Sequence, residues 1–286
     1  MSFQSEKSSP DYLVIGHITR DLVEGGSRPG GTVLYSGITA QRMGLHVAMF
    51  TSCPEDLLPE EVDDFEIINQ PTKNITTFKN IYSSSGREQY LVEKAQDLDI
   101  SLVPENWKKA KIIHLGPVVG EINPEFDQQL LSFSKCYSLQ GWLRDWDENG
   151  KIHYIPPEDI NLPEGIKTAA FLSIEDLGNN RETIDQLRKD FPFLVLTKGY
   201  EGAEIFLGEE IFTIMAEPAI EKDPTGAGDI FAAAFIIYWV LREKSIVESA
   251  ELASKFAAIS VTRPGLKGIP TVEEIREIEE KHNSNR

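Results

Sequence analysis

Cysteine is scarce in this sequence: Cys53 and Cys136 are the only two in 286 residues, and they lie far apart. With no CxxC and no Cys/His cluster, a disulfide framework and structural zinc are excluded, and a reducing compartment is expected. Long apolar runs are missing as well. The longest, Ile230 to Leu241, stops at Arg242-Glu243-Lys244 and is too short to span a bilayer, so it reads as a buried helix. Residues 1–10, MSFQSEKSSP, lack the apolar centre of a secretory signal and are expected to form a flexible tail of a cytoplasmic protein. Positive charge is in short supply: 28 Lys and Arg face 46 Asp and Glu, a net charge of -18. Such a surface repels nucleic acid and anionic membranes, and neither is expected as a partner. It also repels an anionic cosubstrate, so a phosphate site here needs backbone amides, basic side chains or a metal. Finally, Gly16 to Asp21 reads G-H-I-T-R-D, which is not the Gly-x-Gly-x-x-Gly of a dinucleotide-binding dehydrogenase.

What is present is an alternation. Short apolar stretches at 12–16, 46–50, 111–115, 169–173 and 193–197 are separated by helical patterns at Thr32–Met43, Asn123–Ser134 and Asn180–Lys189, with Ser245–Thr262 and Val272–His282 after the apolar run. This pattern predicts an α/β fold: a doubly wound, mostly parallel sheet with helices on both faces. Residues 74–93 depart from it, reading as two alternating strands around Ser83-Ser84-Ser85-Gly86. Such a hairpin is a lid over a binding site, a dimer surface or an ordinary edge. We expect one α/β domain over 11–286, with a small β lid from about 17–30 and 74–94.

One stretch carries chemistry. In "DPTGAGDIFAAAF", residues 223–235, glycines precede a helix whose first amides are unpaired and attract anions. Asp229, in the first helical turn, is expected to stay ionised near neutral pH through the helix dipole and to accept a proton. An anion cradle beside a base suits phosphoryl transfer; a glycine turn with a capping Asp is the simpler alternative.

Four stretches in order resemble the ribokinase-like (PfkB) carbohydrate kinase family: "VIGHITRD" at 14–21 with the later Gly30-Gly31, "LVLTKGYEGAEIF" at 194–206, "DPTGAGDIFAAAF", and "ELASKFAAISVTRPG" at 251–265. The resemblance implies ATP-dependent phosphorylation of a hydroxyl on a small sugar, polyol or nucleoside. Asp229 would be the base, and the amides of Gly226, Ala227 and Gly228 would hold the transferring phosphate. It places Asp21, Gly30 and Gly31 at the acceptor, and Thr197, Gly199, Ser254 and Lys255 at the nucleotide. Asp223, Thr225 and the loop 263–268 resemble the region where some members hold a monovalent cation such as K+.

Two departures stand out. The Asn often found after the glycine pair is missing from V-L-Y-S-G at 33–37, which argues against ribose itself. The family's Asn-x-x-Glu, linked to magnesium through water, is Ser173-Ile174-Glu175-Asp176 here, so Mg2+ is expected with ATP and Glu175 or Asp176 is its candidate water-mediated partner. The segment "LQGWLRDWDENGKIHYI" at 139–155 looks more like the myo-inositol kinase branch, with Arg144 either toward the acceptor or in a structural ion pair. A noncatalytic sugar- or nucleotide-binding protein on the same fold is the alternative.

Overall fold

The computed structural model describes residues 8–83, 86–156, 159, 162–163, 169–177 and 182–284. Residues 1–7 of the tail expected at 1–10 and the hairpin turn residues Ser84 and Ser85 lie outside them. In chain order the elements are β1 (Tyr12–Ile15), β2 (Thr19–Val23), β3 (Gly26–Gly30), α1 (Thr32–Arg42), β4 (Val47–Thr51), β5 (Glu66–Asn69), β6 (Thr76–Ser83), β7 (Gly86–Glu93), β8 (Ile112–Leu115) and β9 (Lys135–Ser138). There follow β10 (Arg144–Trp146), β11 (Ile152–Tyr154), β12 (Ala169–Ser173), α2 (Glu182–Asp190), β13 (Phe193–Thr197), β14 (Ala203–Leu207), β15 (Glu210–Ile214), α3 (Ala227–Ile236), α4 (Ile246–Ser260) and α5 (Val272–Ser284).

Among the described residues the central sheet has nine strands in the order β15-β14-β13-β12-β9-β8-β1-β4-β5. All neighbours are parallel except at the β13–β14–β15 edge, which is antiparallel. The five apolar stretches read from the sequence supply five of its parallel strands. Alternation along each strand sends Tyr12, Val14, Phe171 and Val195 to one face, where they pack with α1, α3, α4 and α5. Leu13, Ile15, Leu172 and Leu194 go to the other face, packed with Trp107, Phe126, Trp142 and Leu187.

That second face departs from expectation. The crossover at Asn123–Ser134 is not an α-helix but a 3-10 stretch at Pro124–Gln129. Asp127 sets its end: this buried carboxylate accepts from Tyr137 Oη at 2.8 Å and Lys135 Nζ at 3.0 Å, while the Leu131 amide donates to the Lys108 carbonyl instead of continuing a helix. The apolar run at 230–241 is helical throughout, as α3 followed by a π-helical turn at Ile237–Leu241.

β2, β3, β6 and β7 form a separate four-stranded sheet in the order β3-β2-β6-β7. The 74–93 hairpin is its β6–β7 pair, antiparallel with a register shift between Thr77 and Phe78. Phe78 and Leu91 pack on Val118 and Val119 from the loop after β8, joining this sheet to the mouth of the main one. The β10–β11 hairpin docks on its edge, where the Leu91 amide donates to the Gly150 carbonyl at 2.8 Å. Among the described residues, no helix is long and apolar enough to cross a membrane.

Candidate active site

Two helix N-termini meet at the C-terminal ends of the parallel strands, where an open α/β sheet presents its ligand crevice. α1 opens at Gly31, whose φ of 98° suits glycine and where a Cβ would lie 2.4 Å from the His17 carbonyl oxygen. α3 opens at Gly226, left-handed at φ 78°, where a Cβ would lie 2.3 Å from the Tyr35 ring. Tyr35 of α1 therefore fills the space directly beneath the glycine turn. Gly228 faces open space, with nothing within 4 Å of a Cβ built there. The Ala227 amide, expected in the anion cradle, instead donates to the Pro224 carbonyl at 3.2 Å because the turn closes on itself.

Asp229 is half-buried in the first turn of α3. Burial pushes its carboxyl from 3.8 up to about 6; the Thr32 hydroxyl bonded to it and the nearby Arg144 oppose that rise, and Asp176 adds to it. Burial thus outweighs the helix-dipole effect expected from sequence, yet the group is still largely ionised at neutral pH. Ser36 Oγ donates to the Asp229 carbonyl at 3.1 Å. Ser36 also bonds the buried Tyr12 hydroxyl, which lies 2.6 Å from His114 Nδ1, whose Nε2 is 2.9 Å from Ser138 Oγ. A polar chain thus runs from β9 through β8, β1 and α1 to the base of α3. Burial pushes His114 down to about 3, so its ring is neutral across the working pH range.

On the acceptor side, Asp21 of β2 lies over Gly30 of β3, with Asp21 Oδ2 2.8 Å from where a Gly30 Cβ would stand. Tyr35 marks where these groups converge: burial first, then the charges of Asp21, Asp223 and Asp229, push its hydroxyl upward, and Arg28 opposes them. Arg144 is buried, and its Nη2 donates to Asp176 Oδ1 at 3.3 Å. Asp176 also accepts from Gln140 Nε2 and from the Ser173 amide, both at 2.9 Å. Its oxygens are thus committed to protein partners, whereas Glu175 is exposed. Among the described residues no group of three or more His, Cys, Asp or Glu is placed to hold a metal.

The residues expected at the nucleotide are spread over two elements and a turn. Thr197 ends β13 and donates through Oγ1 to the Leu172 carbonyl at 3.3 Å; Gly199 begins the open turn after it. On α4, Ser254 Oγ accepts from the Glu217 amide at 3.3 Å and donates to the Met215 carbonyl at 3.4 Å, so it fastens the chain after β15 to the helix. Lys255 next to it is half-buried. Asp223 accepts from the Thr225 amide at 3.0 Å, the Gly265 amide at 3.0 Å and Arg28 Nη1 at 3.1 Å.

Thr32, Tyr35, Ser36 and Arg28 have no motif of their own, although Thr32 directly follows the glycine pair. Glu121 is also invisible in sequence. It is fully buried and accepts from the amides of His17 at 2.9 Å, Val118 at 2.9 Å and Val119 at 2.8 Å, tying the loops after β1 and β8. A groove of about 710 Å³ between β7 and the β10–β11 hairpin, lined by Lys79, Tyr90, Lys94 and Trp146, contains none of the candidate residues.

Residues 159–272 match the model of the pfkB family carbohydrate kinases. The chain is 25% identical over 177 residues to inositol 3-kinase of Zea mays, a match covering 59% of this chain and 46% of that protein, so it spans under half of that relative. It is 25% identical over 254 residues to cytidine kinase of Thermococcus kodakarensis, covering 79% of this chain and 87% of that one. The fold is shared with a pyrophosphate-dependent kinase of the ribokinase family solved with a pyrophosphate analog and myo-inositol, at TM-score 0.77 and 19% identity, over 93% of this chain and 99% of that chain.

Proposed function

We propose that this chain, whose residues 159–272 match the model of the pfkB family carbohydrate kinases and which has the ribokinase fold, transfers the terminal phosphoryl group of ATP to a hydroxyl of a small polyol, sugar or nucleoside, with an inositol-like polyol as the first candidate. The observation that carries this reading is Asp229, a carboxylate raised to about 6 at the opening of α3 and grouped with Asp21 around Tyr35.

Asp21 and the backbone at Gly30 and Gly31 hold acceptor hydroxyls. Asp229 takes the proton of the attacking hydroxyl as its oxygen bonds to phosphorus and the bond from phosphorus to the ADP oxygen breaks. Gly226 and Gly228 let the phosphate approach the start of α3, whose dipole offsets its charge. Arg144 is ion-paired with Asp176, and we assign it to orienting Asp176 and moderating the charge near Asp229. Mg2+ carried in with ATP would supply charge neutralisation on the phosphates. The sheet β3-β2-β6-β7 acts as the lid that excludes water. Pyrophosphate is a second donor reading, favoured by the fold shared with the pyrophosphate-dependent kinase.

The test is incubation with Mg-ATP or Mg-pyrophosphate and a panel of inositols, sugars and nucleosides, following ADP or phosphate release. Acceptor-dependent release is expected to fall by about 10²–10⁴-fold in Asp229→Asn, while nucleotide affinity stays within a few-fold. A ligand-induced melting shift without turnover on either donor would instead indicate a noncatalytic binding protein.

A further inference from the structure

The cation region expected at Asp223, Thr225 and 263–268 is built differently from an oxygen cage. A monovalent cation needs carboxylate and carbonyl oxygens turned toward a common point, and here the Asp223 carboxylate and the Gly268 carbonyl already accept from guanidinium groups. Arg28 Nη1 reaches Asp223 Oδ2 at 3.1 Å, and the same oxygen accepts the Gly265 amide at 3.0 Å. Arg263 Nη2 donates to the Gly268 carbonyl at 3.3 Å, while its guanidinium also pairs with Glu274. Asp223 is mostly buried, at 16% side-chain exposure, so its charge needs a partner, and Arg28 supplies one. With Arg28 paired to it, the Asp223 carboxylate is not available to K+.

We propose that Arg28 replaces the monovalent cation: its guanidinium provides, from the lid strand β3, the positive charge next to the α3 anion cradle that K+ would otherwise provide. Because Arg28 lies on the lid and Asp223 on the turn leading into α3, the same ion pair couples lid position to the charge state of the cradle. An open lid leaves Asp223 without its guanidinium and the phosphate site more negative; a closed lid restores the balance. The consequence for turnover rests on the kinase reading, whereas the arrangement of ligands does not.

Two measurements keep these apart. Thermal melting is compared in KCl and in tetramethylammonium chloride at equal ionic strength, for the wild type, Arg28→Gln and Arg28→Lys; donor consumption is then followed in the same salts. The wild type and Arg28→Lys are expected to melt and turn over alike in both salts. Arg28→Gln is expected to turn over several-fold more slowly in tetramethylammonium and to gain both melting temperature and rate in K+, since Asp223 then keeps only amide partners. A K+-dependent rise in the wild-type melting midpoint, or an Arg28→Gln protein that melts identically in the two salts, would overturn the proposal. If no acceptor is phosphorylated by any variant, the kinase reading fails, and the melting comparison still decides whether Arg28 excludes the cation.

Discussion

Asp229 is held between two demands. In the proposed role of proton acceptor it has to be ionised, yet burial favours its neutral form and lifts it to about 6. The pH dependence follows directly. The rate is expected to climb with pH through about 6 and level off above it, measured as initial velocity at saturating substrates, and Asp229→Asn should remove the dependence together with the activity. His114 is not a competing source of such a profile because burial holds it near 3. Stability runs the other way. A carboxyl raised above its ordinary value binds its proton more tightly in the folded state, so its stabilising contribution is complete below about 4 and is lost as pH rises through about 6. Asp229→Asn is thus expected to melt higher than the wild type at pH 8, by up to about 3 kcal/mol for a rise from 3.8 to about 6, and the gap should close toward pH 4. A variant less stable than the wild type at pH 8 would show that the carboxylate is held by more favourable bonds than Thr32 provides.

At the scale of elements, the site depends on how α1 and α3 are set against β1. Tyr35 fits under Gly226, Thr32 and Ser36 bond Asp229, and Tyr12 connects Ser36 to His114 in the sheet. The Tyr12–His114 contact is buried, so deleting one partner strands the other. Tyr12→Phe removes the hydroxyl from both Ser36 and His114 Nδ1 and is expected to cost about 1–3 kcal/mol of stability in chemical denaturation. If the chain only holds α3 to the sheet, the donor affinity of Tyr12→Phe will match that of the wild type while its turnover falls modestly.

Over the whole molecule, a net charge of -18 opposes the approach of any polyphosphate donor. The phosphate cradle proposed at α3 would attract the anion only within a turn or so of the helix end, whereas the repulsion extends over a Debye length. Adding an inert salt such as tetramethylammonium chloride from roughly 10 to 150 mM should therefore raise kcat/KM for the donor, with little change in kcat. A fall in kcat/KM over that range would mean that a local positive field dominates the encounter.

The sequence by itself determined the layered α/β architecture, because apolar stretches of strand length alternate with helical spacing, and it marked Asp229 and its glycines, because turn and helix-start chemistry are local. It also exposed the 74–93 hairpin through its period of two. It misjudged Asn123–Ser134, where buried bonds from Tyr137 and Lys135 to Asp127 impose a tight turn that no local propensity reports. It left open whether Arg144 faces an acceptor or an ion pair, and it offered Asp223 to a cation. Only the tertiary structure shows which partners these side chains meet, Asp176 beside Arg144 and Arg28 beside Asp223. The physical reason is that a charged side chain takes its role from the partner it meets when buried, and here that partner comes from a distant strand or loop.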